Sequence, residues 1–207
     1  MTRPASIISI FLTLSCLGLL HAQEGSTFGG WEHMDLSHSF KNSNWYASLY
    51  FEHDNIRYQR LDLCFVSASF GYHFSKWLKA SAAYDFMIEP AGIGHRAVAE
   101  VTGTLRKGNL SLALRERYQH KWPPGASPQT NELRNRLKAQ YAIPNSRLKP
   151  YLALEVYVWD KWLKSRHYAG TTVAINSHLE LEAYYMYFLF ADKPAEHVLG
   201  LGVNMAL

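Results

Sequence analysis

The feature that most constrains this chain is an alternation of apolar and polar residues with period two, sustained from Gly29 to Leu207. Successive side chains of a β-strand point to opposite faces, so such a pattern describes strands with one apolar and one polar face. The clearest segment is 178–190, where Leu179, Leu181, Ala183, Tyr185, Tyr187 and Leu189 share a face and Glu180 and Glu182 take the other. The same parity sends Leu152, Leu154, Val156 and Val158 outward and Glu155 and Tyr157 inward. It likewise turns Leu133, Leu137, Ala139 and Tyr141 outward and Arg134, Arg136, Lys138 and Gln140 inward. Segments of about 11 to 14 residues are long enough for a tilted strand to cross a bilayer. No helical periodicity competes anywhere.

Candidate strands cover 29–40, 44–54, 60–74, 77–88, 95–106, 110–121, 131–143, 149–159, 164–175, 178–190 and 196–207. Single-chain bacterial barrels usually hold an even number of strands. Eleven segments therefore mean that 29–40 pairs atypically or that a twelfth strand lies within a loop. The expected fold is all-β: a single antiparallel up-and-down transmembrane β-barrel of about 10–12 strands. Connections drawn from this pattern alternate between short and long, the signature of short periplasmic turns and longer outer loops. On that rule the C-terminus is periplasmic.

A mean hydropathy of −0.19 does not conflict with a membrane barrel. Only alternate residues meet lipid there, and the others line a polar interior. The first 22 residues read as an export signal: Arg3, an apolar run from Ile7 to Leu20, then Ala22 before Gln23. The barrel domain is then 23–207, and an exported chain with this pattern is expected in the outer membrane. Cleavage removes Cys16 and leaves Cys64 alone, so no intramolecular disulfide forms. A net charge of +4, spread along the chain, gives no nucleic-acid site. The partners expected are outer-membrane lipid and, during biogenesis, the barrel-insertion machinery; the barrel itself is expected to be a monomer.

Several stretches together resemble the outer-membrane barrel family catalogued as domain of unknown function 2490. They are FGGW at 28–31, LRERY at 114–118, ELRNRL at 132–137, KPYLALEVY at 149–157, the strand 179–187 and HVLGLGVN at 197–204. The resemblance spans most of the mature chain and implies a secreted outer-membrane barrel with no established activity. Members commonly end in an aromatic residue, whereas this chain ends in Leu207.

The candidate site is electrostatic. Arg115, Arg117, Arg134, Arg136 and Lys138 point inward from two neighbouring strands, and Glu100, Glu155, Glu180 and Glu182 point inward from others. Like charges on adjacent strands destabilise unless carboxylates or water offset them. One reading is a lumen filled by interlocked side chains, since barrels of this size enclose little space. The other is a narrow pore or pocket whose arginines hold anionic solutes through bidentate hydrogen bonds. Trp31, Trp45, Trp77, Trp122 and Trp159 fall near strand ends, as interface aromatics do.

Two rivals come from other classes. An exported lipocalin-like binding barrel also alternates, but with its apolar face inward. An outer-membrane lipid hydrolase needs a serine beside a histidine base, and His73-Phe74-Ser75 offers the pair. Parity turns both of those residues inward, away from lipid. The histidines lack ligand spacing, so no metal or other cofactor is expected, and Gly200 and Gly202 read as small inward residues of a strand.

Overall fold

The computed structural model describes residues 28–56, 60–191 and 195–207, and within them the secondary structure is β throughout. The export signal at 1–22 lies outside the described residues. Eleven strands follow one another: β1 (Phe28–Ser39), β2 (Trp45–Ile56), β3 (Arg60–Ser75), β4 (Leu78–Glu89), β5 (Gly92–Lys107) and β6 (Leu110–Trp122). The chain continues as β7 (Thr130–Tyr141), β8 (Leu148–Trp159), β9 (Lys161–Ala174), β10 (Leu179–Phe190) and β11 (Glu196–Ala206). Each coincides with one alternating segment of the sequence.

Every strand pairs with its sequence neighbours in antiparallel register, and the sheet closes on itself. The closing pair is the one that is not antiparallel. β1 and β11 run parallel, in register from Phe28 against His197 to Ser37 against Ala206. The cause is arithmetic: with an odd number of hairpin-connected strands, the first and last point the same way, so their ladder must be parallel. Segment 29–40 is thus the strand that pairs atypically. Phe28 and Leu207 then stand at opposite ends of the barrel, and β1–β2 stand across the interior from β7.

The expected contrast between short and long connections is not observed. β4 and β5 are joined by residues 90–91 alone and β8 and β9 by Asp160 alone, while 142–147 link β7 to β8 at the other end. The ladder consumes residues that composition assigns to loops. Asp160 turns the chain in the left-handed region at φ 59°, and Gly92 adopts φ 127° at the start of β5.

The two faces of the wall differ as the alternation requires. On β8, Leu152 is 66% exposed while its neighbours Tyr151 and Ala153 are 4% and 8% exposed. Leu137 on β7, Leu199 on β11 and Phe70 on β3 are exposed in the same way, so the apolar face is the outer one. A soluble lipocalin-like barrel has the reverse arrangement; this fold is that of a transmembrane barrel. Glu116 and Asn135 break the outer pattern. They are cross-strand partners between Leu114 and Tyr118 on β6 and between Leu133 and Leu137 on β7, with the asparagine amide against the carboxylate.

Inside, one part of the filling is aromatic: Trp31, Tyr151, Tyr168, Met186, Phe188 and Val198 pack together. Trp31 is therefore not an interface aromatic. It is buried, edge-on to Phe188 and with the Arg166 guanidinium 4.3 Å from its ring centroid. Parity explains the displacement, because Trp31, His33 and Asp35 all line the interior cavity. The seam makes room for them: Gly200 lies opposite Trp31 and Gly202 opposite His33. A Cβ on Gly200 would fall on the Tyr184 ring and one on Gly202 on the His33 imidazole. Trp45, Trp77, Trp122 and Trp159 are exposed near strand ends.

Candidate functional site

Register places the charged residues of the interior in rows. Arg117 faces Glu100 on one side and Arg134 on the other; Arg115 faces Arg136, which faces Glu155, which faces Arg166. Two arginine pairs thus sit directly across one ladder, an arrangement that is destabilising without nearby negative charge.

Glu155 supplies that charge. It is 1% exposed, and its Oε1 accepts hydrogen bonds from Arg115 Nη2 at 2.7 Å and Arg134 Nη2 at 3.0 Å. Its Oε2 lies 3.6 Å from Arg166 Nη1 and accepts the hydroxyls of Tyr157 and Tyr168, each at 3.2 Å. One buried carboxylate therefore holds three guanidinium groups and two phenols, which satisfies a charge that would otherwise be prohibitive to bury. Glu100 plays a smaller version of the same part: its Oε2 accepts from Arg117 Nε and Nη2 at 2.8 and 2.7 Å and lies 3.7 Å from Arg115 Nε. Lys138 and His33 approach Glu182 at 3.5 and 3.2 Å, and Lys149 bonds Glu180.

Every charged residue of the sequence-derived cluster lines this interior. Other members were not in that set: Arg166, the buried pair Arg96–Asp85 at 2.5 Å, Lys164–Glu132 at 3.2 Å and Lys121–Glu89 at 2.6 Å. Parity along β9 carries the signal for two of them, since Lys164, Arg166 and Tyr168 share one face.

A cavity of about 410 Å³ remains between the side chains. Four of the charged groups that line it have no oppositely charged partner within 4 Å among the described residues. The Arg136 guanidinium stacks 5.0 Å from the Tyr168 ring centroid, and the Lys79 ammonium rests 5.2 Å from that of Tyr46. Among the described residues Glu52 accepts the Tyr50 hydroxyl and no cation, and Asp35 Oδ1 is buried without a hydrogen bond.

His73 and Ser75 do not form a couple. The histidine ring packs on Tyr46 at 4.9 Å, and Ser75 Oγ accepts the backbone N–H groups of Trp77 and Leu78, capping the turn between β3 and β4. His95 and His197 lie on the outer face and bond Tyr84 and Tyr185 at 2.9 and 2.5 Å. Among the described residues no group of three or more His, Cys, Asp or Glu converges as a metal site.

Comparison with known proteins agrees with this architecture. Residues 28–197 match the family described as protein of unknown function DUF2490. The chain belongs to the DUF2490 family. Among solved structures, the DUF2490 barrel is similar to the NanC porin, with 14% sequence identity and a TM-score of 0.60 over 86% of this chain and 98% of that one. At that identity the likeness concerns the fold. No curated protein sequence matches this family member.

Proposed function

We propose that this DUF2490 chain is an outer-membrane barrel whose ion-paired interior forms a narrow chamber for small polar solutes, not a wide channel and not an enzyme. The observation that carries the reading is the Glu155 network. Arg115, Arg134 and Arg166 are committed to one carboxylate, and the cavity lining as a whole carries seven carboxylates against seven lysines and arginines, so its fixed charges balance around the interior. An outer face of leucine and aromatic residues supports contact with lipid. The porin-like fold supports placement in the outer membrane. Wide aqueous channels need about 16 to 18 strands, and eleven enclose far less.

Planar-bilayer recording with purified, refolded protein tests the reading. The expected result is a low unit conductance with weak preference between chloride and potassium, because the fixed charges nearly cancel. A large, strongly anion-selective conductance contradicts it.

A further inference from the structure

The groups left without ionic partners among the described residues are not scattered. Asp35 on β1 and Glu52 on β2 form one wall of the cavity, and Arg136 on β7 lines the same cavity. In a closed ring of eleven strands, β7 lies diametrically across from the β1–β2 pair. Elsewhere in the lining, carboxylates answer cations at short range: Glu155 to three arginines, Glu100 to two, and Glu182 to Lys138. Besides Lys79, what faces the cavity without an ion pair among the described residues is a guanidinium on one side and two carboxylates on the other. Lys79 adds a cation near the acidic wall, but its ammonium rests over the Tyr46 ring and not within 4 Å of Asp35 or Glu52.

A solute bearing only one sign of charge meets two complementary groups and two repulsive ones. A solute bearing both charges meets a partner at each end. We infer that the chamber takes zwitterions, of the class of ω-amino acids, with the carboxylate on Arg136 and the ammonium on Asp35 and Glu52. The inference rests on the reading of the interior as a chamber open to small solutes. Arg136 suits the task because a planar guanidinium presents two parallel N–H donors to a carboxylate. Tyr168, beneath it, fixes the plane without competing for those donors.

Equilibrium dialysis of the folded, detergent-solubilised full chain against 4-aminobutyrate and its neutral isomer 4-hydroxybutyramide separates charge from size and shape. The expected result is at least tenfold stronger retention of 4-aminobutyrate, lost in Arg136→Gln and reduced in Asp35→Asn and Glu52→Gln. Arg136→Gln also removes a cation facing Arg115, so it should fold; heat-dependent gel migration checks this for each variant. Equal retention of the two isomers overturns the inference. Ion conductance in the bilayer experiment together with equal retention leaves the chamber standing and removes only its zwitterion specificity. No conductance and no retention of either solute removes both.

Discussion

The wall formed by β6 to β9 and the wall formed by β1 and β2 line the same cavity but are held in opposite ways. On the first, Glu155 is shared by three arginines and two tyrosines, and every other cation but Arg136 that lines it pairs with a carboxylate of this wall or of the flanking strands. On the second, Asp35 and Glu52 stand with no cation within 4 Å among the described residues. The difference teaches that a polar interior does two separate things. Where charge is matched by ion pairs between strands, it holds them together; where it is unmatched, it is left for water, ions or a solute.

Removing the hub of the locked wall should have the largest effect. Glu155→Ala leaves three buried guanidinium groups facing one another, and breaking such a network costs about 3–5 kcal/mol. Urea unfolding followed by unheated gel migration should show that loss, and near-wild-type stability would break the comparison. On the opposite face of the same strand, Leu154→Arg tests lipid contact. A cation placed at mid-membrane costs about 2–4 kcal/mol, so the variant should insert poorly in bilayers.

The glycines sharpen the contrast in packing. A Cβ at Gly170 would lie 2.8 Å from the Ala183 carbonyl oxygen and 2.7 Å from Tyr184 Cβ, whereas one at Gly103 meets nothing within 4 Å. Gly170→Ala should cost about 1–3 kcal/mol through overpacking. Gly103→Ala should be neutral or stabilise by roughly 0.5–1 kcal/mol. Smallest of all, Asp35→Asn should move stability by under about 1 kcal/mol, because no ionic partner loses its charge.

Much of this arrangement is legible in the sequence, because parity is a local property. Once the apolar face of a strand is identified, Glu100, Arg117 or Lys138 must take the other. The same logic places Trp31 inside; its position near a strand end suggests an interface aromatic, but the interior parity it shares with His33 and Asp35 decides. The importance of Glu155 is not legible, since it arises from three strands converging on one carboxylate. The missing contrast in connection length has a similar cause. Hairpins such as Trp159–Lys161 tighten through a single left-handed residue, which composition reads as a longer loop.

The parallel seam is what sets β1–β2 opposite β7, so the odd closure is the central claim. In a Cys64→Ser background, Phe28→Cys and Ala206→Cys place one thiol at each end of that seam. Labelling whole cells with a membrane-impermeant maleimide, before and after permeabilising the outer membrane, reports which side each thiol occupies. Eleven strands predict that one site reacts on intact cells and the other only after permeabilisation. Reaction of both sites from the same side would mean an even number of crossings and would contradict the account.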